Sequence, residues 1–534
     1  MACEVRALLG ARPMKINKAQ QTALAAGALT VGAALISRGL RAIRRISFRD
    51  RSVLITGGSR GFGLQMARQF GVEGARVLLA ARDQAELDRA RDDLRDRGVD
   101  ASTFACDLTD RAQAERLVEH IVARYGAIDV LINNAGIIQV GPLDHMQPRD
   151  FEEAMAVHFW APLHTMLAAI PHMRRQGGGR IVNISSIGGK IGVPHLAPYC
   201  ASKFALTGLS DSLRGELAKD LIYVTTVCPG MMRTGSPFNA WFKGRHRDEF
   251  TWFAVSDSIP LMSIDSGRAA AQVIDACRHG DAELIITWPA KLAVIANAVM
   301  PDAVALGMNL ANRMLPGPID HRSGDERHSG WQSLHFWAPL HTMLAAIPHM
   351  RRQGGGRIVN ISSIGGKIGV PHLAPYCASK FALTGLSDSL RGELAKDLIY
   401  VTTVCPGMMR TGSPFNAWFK GRHRDEFTWF AVSDSIPLMS IDSGRAAAQV
   451  IDACRHGDAE LIITWPAKLA VIANAVMPDA VALGMNLANR MLPGPIDHRS
   501  GDERHSGWQS LSNWAPSKLT TLTERAAAEN NEVP

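Results

Sequence analysis

The sequence predicts an α/β fold with a doubly wound parallel sheet, followed by a second, incomplete α/β segment. Short apolar runs typical of buried strands alternate with helical patterns. The first run enters a glycine-rich turn, TGGSRGFG at 56–63, which opens a helix. Residues 158–334 then recur letter for letter at 335–511. Strand, glycine-rich turn, helix and strand form the unit that places a pyrophosphate on a helix N-terminus, so the sheet is expected to be of the Rossmann type.

The first element in chain order is an apolar and basic N-terminal segment, residues 1–46. As a helix its uncharged run at 22–36 would span roughly 22 Å, against ~30 Å for the hydrocarbon core of a bilayer. Lysines precede the run and arginines crowd its C-terminal side. We therefore expect a membrane anchor that leaves the folded domain facing the cytoplasm. The alternatives are a transit peptide, a helix on the membrane surface and a soluble cytoplasmic protein.

Charge and cysteine content restrict the class of partner. The net charge is +8, but no Asp or Glu occurs between Val5 and Arg49, so much of the positive charge lies near the N-terminus. These basic residues flank an apolar run and are not interleaved with aromatics, so nucleic acid is not expected as a partner. The eight cysteines form no CxxC motif. Neither a disulfide framework nor a metal site is expected.

Five strands are expected in order within the main domain, residues 47–290. They are the runs SVLIT, RVLLA, the strand that ends at 104–107, DVLIN and GRIVNIS. A segment with helical spacing, LQMARQFGVEG, separates the first two. Gly57 and Gly61 are expected to let the backbone turn and approach a phosphate, and Gly63 to let helix and strand pack closely.

Several short motifs then follow one another in a single order and spacing. They are TGGSRGFG at 56–63, NNAG at 133–136, a serine thirteen residues before a tyrosine, YCASK at 199–203 and CPGMMRT at 228–234. With this set the chain resembles the classical short-chain dehydrogenase/reductase family over about residues 50–290. The resemblance implies an oxidoreductase that interconverts a ketone or aldehyde and an alcohol, with a nicotinamide dinucleotide as cofactor.

The resemblance also implies a cofactor site along the strand ends, with Asp107 at the adenine. An acid after the second strand would select NAD(H), but Ala81 and Arg82 stand there and Arg60 lies in the glycine turn. Two guanidinium groups favour a phosphate, so NADP(H) is preferred and NAD(H) is the alternative; Asp83 opposes this preference. The residues expected to bind the cofactor are Thr56, Gly57, Ser59, Arg60, Gly61, Gly63, Arg82, Asp107, Leu108, Asn133, Ala135, Gly136, Tyr199, Lys203, Pro229, Gly230 and Thr234.

The expected catalytic residues are Ser186, Tyr199 and Lys203. Tyr199 and Lys203 are four residues apart and share a helix face. A nearby ammonium lowers the pKa of a tyrosine, so Tyr199 is expected to donate a proton to a carbonyl as hydride arrives, or to remove one from an alcohol. By the resemblance, Lys203 also binds the nicotinamide ribose and Ser186 holds the substrate oxygen. Ser185 is the alternative serine and is expected to be an ordinary strand-end hydroxyl.

His158 departs from the family pattern, which commonly has an asparagine about forty residues before the tyrosine. In the family that asparagine supports a water that relays protons to the lysine. Imidazole donates and accepts, so a relay through His158 is conceivable, and reduced activity is the other outcome. The alternative function is therefore a non-catalytic dinucleotide-binding or scaffolding module, impaired by His158 and by the repeat.

A segment rich in large apolar side chains follows the last motif, where the family has its substrate lid. The expected substrate is a small hydrophobic carbonyl or alcohol; packing on the body or contact with a membrane is the alternative role for these side chains. They are Phe238, Trp241, Phe242, Phe250, Trp252 and Phe253. Residues 291–334 are expected to form a helical extension and linker. Residues 286–317 are expected to pack in the core. The alternatives are that they cover the cleft, form a subunit contact in a homo-oligomer or contact lipid.

The repeat is interpreted as a recent tandem duplication or an error of sequence assembly. Its second copy, 335–511, contains Ser363, Tyr376 and Lys380 but lacks the first four strands. We expect this copy to be catalytically inert and to expose a sheet edge and apolar faces. We expect the first copy, and not the second, to pair with the N-terminal cofactor half, because the chain connects the first copy to that half directly. The tail 512–534 is polar and expected to be disordered.

Overall fold

The computed structural model describes Gly39, residues 41–315 and residues 336–525, apart from gaps at 235, 244, 246–247, 254–258, 260–261, 412, 421, 438, 494–504, 513–519 and 522–523. Residues 1–45 form one compact unit and 46–534 another. The apolar run 22–36, the linker 322–330 and most of the tail lie outside the described residues. Of the helices that are described, none is long and apolar enough to cross a membrane.

The second unit contains a sheet of seven parallel strands, as a doubly wound fold requires. Their order is β3-β2-β1-β4-β5-β6-β7. The strands are β1 (Ser52–Thr56), β2 (Arg76–Ala81), β3 (Ala101–Ala105), β4 (Val130–Asn133), β5 (Gly179–Ile184), β6 (Ile222–Pro229) and β7 (Glu283–Ile286). The order reverses between β1 and β4, and at such a point the carboxyl ends of the strands border a cleft.

Helices cover both faces of this sheet. They are α1 (Gly61–Val72), α2 (Gln84–Asp96), α3 (Arg111–Tyr125), α4 (Pro148–Met155), α5 (Ala161–Arg175), α6 (Ala197–Leu217), α7 (Ser266–His279), α8 (Trp288–Val299) and α9 (Pro301–Asn312). Asp83, Asp110 and Asp265 cap the N-termini of α2, α3 and α7 with their side chains. A π-helical turn, Ala156–Trp160, joins α4 to α5.

The strands are largely apolar because both faces of the sheet are buried. In β1, Leu54 contributes to the core that contains apolar residues of α3, α5 and α6. Its neighbours Val53 and Ile55 contribute to the opposite core, which contains apolar residues of α1, α2 and α7. Successive side chains of a strand point to opposite faces, so a continuous apolar run fills two cores at once. The Rossmann-type architecture expected from the sequence is confirmed.

Short elements border the carboxyl edge of the sheet. They include 3₁₀ turns at Leu143–His145 and Ile187–Gly189, a helix at Ser236–Asn239, and strand pairs Gln139–Val140 with Trp241–Phe242 and Met231–Arg233 with Ser263–Asp265. The pair of Gln139–Val140 with Trp241–Phe242 links the loop after β4 to the apolar segment that follows the CPGMMRT motif. These loops therefore form the rim of the cleft.

The second copy forms its own, incomplete sheet. Three parallel strands pair in the order β8-β9-β10, separate from the seven-stranded sheet. Its elements are α10 (Trp337–Arg352), β8 (Gly356–Ile361), α11 (Ala374–Leu394), β9 (Ile399–Pro406), α12 (His423–Ser435), α13 (Ser443–His456), β10 (Glu460–Ile463), α14 (Trp465–Val476) and α15 (Pro478–Met491). Short pieces at Ile364–Gly366, Ala395–Asp397, Met408–Arg410, Ser413–Asn416, Trp418–Phe419, Ser440–Asp442, His505–Ser506 and Gly507–Ser510 complete it. The first copy pairs with the cofactor half, as expected.

The exposed sheet edge expected of the second copy is also present. Among the described strands, β8 pairs only with β9, whereas its counterpart β5 lies between β4 and β6. Ile361 at the end of β8 is 47% exposed, while the identical Ile184 of β5 is 6% exposed. A groove of about 540 Å³ runs along this edge, between β8 and α10.

The expectation of core packing for residues 286–317 holds for only part of the segment: Ile286, Ala290 and Val294 are buried. Many other large apolar side chains in and next to α8 and α9 are more than half exposed, and so are many in α14 and α15, their counterparts. These side chains are Trp288, Leu292, Val299, Met300, Leu306, Leu310 and Met314, then Trp465, Leu469, Val476, Leu487 and Met491. Helices α8 and α14 pack against each other. The two copies thus present a shared apolar face on α8, α9, α14 and α15. Its composition is that of a protein core, although its side chains lie on the surface.

Candidate active site

The cleft begins where the ends of β1 and β4 meet. The hydroxyl of Thr56 accepts hydrogen bonds from the backbone N–H of Asn134 (2.9 Å) and of Ala135 (3.1 Å). The side-chain amide of Asn134 donates to the carbonyl oxygens of Thr56 and Gly57, both at 3.1 Å. Thr56 and Asn134 therefore hold the glycine turn against the NNAG loop. The sequence analysis did not select Asn134, although the NNAG motif contains it.

The glycine turn is shaped by close approach and by backbone angle. Gly57 has φ +62°, and a Cβ on it would lie 2.8 Å from the Cα of Ala135. A Cβ on Gly63 would overlap the carbonyl oxygen of Gly57. Gly61 has φ +56°, yet no described atom lies within 4 Å of the Cβ it lacks. Gly61 therefore opens onto free space at the start of α1.

The N-terminus of α1 is available to an anion. Arg60 occupies its N-cap position, and no described side chain hydrogen-bonds to the N–H groups of its first turn. Uncapped N–H groups and the helix dipole favour a phosphate there. This geometry fits the pyrophosphate of a dinucleotide, as the sequence predicts.

The two arginines selected for a 2′-phosphate are placed differently. Arg82 is exposed, and no ion pair of this side chain is found within the described part of the chain. Arg60 pairs with Glu86 at 2.7 Å, and the hydroxyl of Ser59 donates to the same carboxylate at 3.0 Å. The side chain of Asp83 accepts from the N–H of Glu86 at 2.9 Å and is thereby used as the N-cap of α2. Sequence reasoning missed Glu86, which no motif marks.

The remaining cofactor candidates follow the strand ends. The carboxylate of Asp107 accepts from the N–H and hydroxyl of Thr109, at 3.0 and 2.8 Å. Leu108 is buried in the core. The side chain of Asn133 is buried between Asn183 and Thr165, at 2.8 and 2.7 Å. Only the backbone of Leu108 and Asn133 is therefore positioned to contact a ligand.

Three candidates lie at the end of β6. Pro229 is the last residue of that strand. The N–H of Gly230 donates to Ile286 at 3.1 Å, and a Cβ on Gly230 would lie 2.5 Å from the Thr287 hydroxyl. Thr234 forms a local turn with Ser236, whose N–H donates to the Thr234 hydroxyl at 3.1 Å.

The three predicted catalytic side chains are brought together between β5 and α6. Tyr199 lies in the first turn of α6 and Lys203 one turn later. Ser186 is the second residue after β5 and caps a 3₁₀ turn, its hydroxyl accepting from the N–H of Gly188 at 3.0 Å. A Cβ on Gly188 would lie 3.2 Å from the Tyr199 ring, so this glycine lets the Ser186 loop approach the tyrosine. Gly188 was not selected from the sequence.

Lys203 is buried beside the tyrosine. Its ammonium donates to the carbonyl oxygen of Ile184 at 2.9 Å and lies 5.7 Å from the centre of the Tyr199 ring. Burial lowers the pKa of Lys203 to about 7, and Cys228 opposes this effect weakly. A Cβ on Gly136 would lie 3.1 Å from Nε2 of His158 and 3.8 Å from this ammonium, so the glycine lets the NNAG loop approach both side chains.

Ser185 has a structural position. Its hydroxyl donates to the carbonyl oxygen of Lys203 at 3.0 Å and lies 2.9 Å from the hydroxyl of Thr207. It is 3% exposed and faces α6. Ser185 therefore ties the catalytic helix to the end of β5, as an ordinary strand-end hydroxyl would.

His158 lies in the π-helical turn and is buried. Its Nε2 accepts from the N–H of Ile137 at 3.1 Å, so the proton must reside on Nδ1. Nδ1 then donates to the hydroxyl of Ser202 at 2.8 Å, and that hydroxyl donates to the carbonyl oxygen of Tyr199 at 2.8 Å. Burial holds the pKa of His158 well below its usual range, and the charge of Lys203 adds to this. Both nitrogens are occupied, so the geometry gives no support to a relay through the imidazole.

The substrate side of the cleft is apolar. One cluster contains Tyr199 together with Ile138, Val140, Val193, Leu196, Cys200, Ala240, Phe242 and Phe253. Phe242 packs edge-on against Phe250 and Phe253, and the rings of Trp252 and Phe253 lie tilted to each other with centroids 6.4 Å apart. Trp241 is 70% exposed and points away from this cluster. The side chain of Phe238 lies outside the described residues.

The second copy repeats the catalytic geometry without the cofactor half. The ammonium of Lys380 donates to Ile361 at 2.9 Å and lies 5.7 Å from the Tyr376 ring. Burial raises the pKa of Tyr376, and a hydrogen bond to Ser363 opposes this. The glycine turn and the NNAG loop precede the repeat and have no second copy.

A parallel sheet with an anion-binding turn at its switch point and a tyrosine–lysine pair beside it defines a dinucleotide-dependent oxidoreductase. A model of the short chain dehydrogenase family matches residues 51–240 and 325–417. The chain belongs to this family.

Relatives within the family act on different substrates. A fatty acyl-CoA reductase of Acinetobacter baylyi is 31% identical over 283 residues, which is 53% of this chain and 90% of the relative. A 3alpha-hydroxysteroid dehydrogenase of Mediterraneibacter gnavus is 36% identical over 188 residues, 35% of this chain and 75% of the relative. Among solved structures, an actinorhodin polyketide ketoreductase with NADPH is 30% identical and covers 44% of this chain and 95% of its own, with a TM-score of 0.41.

Proposed function

We propose that the chain interconverts a hydrophobic ketone or aldehyde and the corresponding alcohol with NADP(H), at the site formed by Ser186, Tyr199 and Lys203. The observation that carries this proposal is the buried ammonium of Lys203, one helical turn from Tyr199. No carboxylate of the described residues pairs with this ammonium. A buried unpaired ammonium is costly, so its presence indicates a functional role.

The three catalytic side chains act on different atoms of the reaction. When bound, the cofactor supplies hydride to the carbonyl carbon. Tyr199 donates its phenolic proton to the carbonyl oxygen, which leaves a phenolate. The ammonium of Lys203 stabilises that phenolate, because opposite charges attract strongly in a site of low dielectric. Ser186 donates a hydrogen bond to the substrate oxygen as negative charge develops there.

The cofactor would be held by the glycine turn and the start of α1. The free space next to Gly61 and the uncapped N–H groups of α1 suit its pyrophosphate. Arg82 supports NADP(H) over NAD(H), since it is exposed after β2 where an acid would reject a 2′-phosphate. Asp83 no longer opposes this preference, because its carboxylate caps α2. Glu86 would have to release Arg60 before that arginine could bind the phosphate.

The apolar cluster around Tyr199 supports a hydrophobic substrate. It presents aliphatic and aromatic side chains next to the proton donor. The fatty acyl-CoA and hydroxysteroid relatives, by their names, also act on largely apolar molecules.

The test is reduction of hydrophobic ketones with NADPH by the full chain and by two matched variants. Tyr199→Phe should lower kcat by about 10²–10⁴-fold, the usual size of a general acid–base contribution. Tyr376→Phe makes the same change in the second copy and should leave kcat unchanged. Equal losses in the two variants, or none in Tyr199→Phe, would refute the proposed site.

The alternative is a non-catalytic dinucleotide-binding module, and His158 is the observation in its favour. NADPH binding without turnover of any ketone would identify it. Replacing His158 with Asn distinguishes the two causes of inactivity, the imidazole and the repeat. Restored turnover would assign the defect to the imidazole of His158. A variant that stays inactive would show that the imidazole is not the cause.

We also propose that the protein associates with membranes. The N-terminal run 22–36 and the shared apolar face of α8, α9, α14 and α15 support this. Full-length protein should sediment with phosphatidylcholine–phosphatidylserine vesicles, and the double variant Leu292→Gln/Leu469→Gln should bind roughly tenfold or more weakly. No sedimentation of the full chain refutes the association. Unchanged binding of the variant refutes a role for the face.

A further inference from the structure

The two copies pack against each other through reciprocal contacts. The catalytic helix α6 lies on its counterpart α11. Phe204 of the first copy packs against Gly385 of the second, and Phe381 packs against Gly208. A side chain at either glycine would overlap the opposing phenylalanine ring. The same contact is therefore made twice with the copies exchanged, which is the pattern of an isologous interface.

Further pairs repeat this exchange. Pro194 contacts Gly392 and Pro371 contacts Gly215. The other reciprocal bonds run from Asn312 to the carbonyls of Gly392 and Glu393, from Asn489 to those of Gly215 and Glu216, from Ala282 N–H to Asp479 and from Ala459 N–H to Asp302. The second copy thus stands to the first as one subunit stands to another in a two-fold dimer.

Two side chains of the second copy reach the loop that borders the first cleft. Arg351 pairs with Asp144, and Glu393 accepts two backbone hydrogen bonds. The carboxylate of Glu393 accepts from the N–H of His195 at 3.0 Å with one oxygen, and from the N–H of Leu143 at 2.8 Å with the other. Glu393 is 4% exposed. Burial raises the pKa of this carboxyl, and His195 and the two N–H groups oppose the rise. A buried carboxylate that bridges two backbone groups fixes both in position.

His195 connects that carboxylate to the cleft. It directly precedes the residues that open α6, four positions before Tyr199, and its φ of +64° is unusual for a residue with a side chain. Its carbonyl oxygen accepts from Gly141 at 2.9 Å, in the loop after β4. Its Nδ1 lies 2.7 Å from the carboxylate of Glu249, in the segment that carries Phe250 and Phe253. His195 thus joins the three segments that border the apolar cluster.

The symmetry fails where the second copy contacts residues that precede the repeat, at Leu143 and at Asp144. Glu216, the counterpart of Glu393, accepts from the N–H of His372 at 2.9 Å, and His372 pairs with Glu426 at 2.7 Å. A counterpart of Leu143 does not exist, because the repeat begins at residue 158. Glu393 therefore holds two loops beside a complete cleft, whereas Glu216 holds one loop beside an incomplete one.

We propose that Glu393 is a positioning residue for the active site of the first copy, so that the second copy supports catalysis at a site it cannot form itself. This inference rests on the proposed function. Glu393 fixes the loop after β4 and the start of α6, and through them the wall of the cleft that receives the substrate.

The test compares Glu393→Gln with Glu216→Gln in the full chain. Glutamine has one acceptor oxygen, and its amide would face an N–H group, so one of the two loops must lose its partner. The KM for a hydrophobic ketone should rise about tenfold in Glu393→Gln, while kcat and the Kd for NADPH stay within about threefold. Glu216→Gln should leave all three constants unchanged. A merely structural role would move both variants alike.

Hydrogen exchange gives a readout that needs no activity. Peptides from the repeat are identical in both copies, but a peptide covering 138–157 occurs once. Exchange in this peptide should accelerate in Glu393→Gln and not in Glu216→Gln. If either glutamine variant does not fold, Glu393→Asp and Glu216→Asp, which keep the charge and shorten the reach, replace the pair and should differ in the same direction.

The two proposals fail separately. An inactive wild-type chain whose 138–157 peptide still responds only to Glu393→Gln overturns the proposed function and keeps the support by Glu393. An active chain in which both variants have the same KM and the same exchange overturns the support alone.

Discussion

Replacing Lys203 with methionine should stabilise the fold while it removes activity. Lowering the pKa of this lysine from 10.5 to about 7 means that the folded state holds its proton less tightly than the unfolded state. Each unit of pKa corresponds to about 1.36 kcal/mol, so the folded state loses roughly 4 kcal/mol at pH 7 relative to an uncharged side chain. Methionine removes this cost, but it also loses the hydrogen bond to Ile184, which lowers the gain in stability by about 1 kcal/mol. The net gain for Lys203→Met is therefore roughly 3 kcal/mol.

The sign of the pH dependence follows from the same shift. Between pH 7 and pH 10.5 the unfolded state binds more protons at this site than the folded state, so the free energy of unfolding should rise with pH over that window. Lys203→Met should flatten this rise. Urea unfolding at pH 7 and at pH 9, followed by circular dichroism, measures both effects.

The matched control is Lys380→Met in the second copy. Burial also lowers the pKa of Lys380, but this lysine is more exposed to solvent than Lys203, so the gain in stability should be smaller. Activity should survive in Lys380→Met and vanish in Lys203→Met. A Lys203→Met protein that is less stable than wild type, or that keeps the full pH slope, would show that burial does not govern this ammonium.

Three further outcomes are expected. Arg82→Asp should weaken NADPH binding at least tenfold relative to NADH, measured by fluorescence titration, because a carboxylate repels the 2′-phosphate; an unchanged ratio would remove Arg82 from the site. Gly61→Ala should cost only about 1–2 kcal/mol of stability for its positive φ, yet abolish dinucleotide binding by filling the space at the start of α1; intact binding would place the pyrophosphate elsewhere. Ile361→Lys should reduce aggregation measured by light scattering, since it charges an exposed strand end, whereas Ile184→Lys at the buried counterpart should prevent folding; equal behaviour would contradict the difference in burial.

The strands, the glycine turn and the catalytic trio could be predicted from sequence because each depends on local pattern. An apolar run bounded by turn residues predicts a strand, and a spacing of four places Tyr199 and Lys203 on one helix face. The pairing of the first copy with the cofactor half also followed, since the shorter connection has the lower closure entropy.

What could not be predicted depends on contacts between distant segments. The partners of His158 are Ile137 and Ser202, and only the folded chain shows that they occupy both ring nitrogens. The apolar helices α8 and α9 have the composition of core helices, and composition does not reveal that many of their large apolar side chains are exposed. The contact of Glu393 with Leu143 spans 250 positions, far beyond any local pattern.

The unpaired edge of β8 has a consequence for how the native pairing is reached. Strands β5 and β8 are identical in sequence, so either can pair with β4. On a ribosome that adds roughly 5–20 residues per second, β5 emerges on the order of ten to thirty seconds before β8, long enough for the seven-stranded sheet to close first. A chain diluted from denaturant presents both strands at once, and only the difference in loop length then favours β5. Refolded protein should therefore contain a population in which β8, and not β5, pairs with β4. Protein taken directly from cells should lack this population.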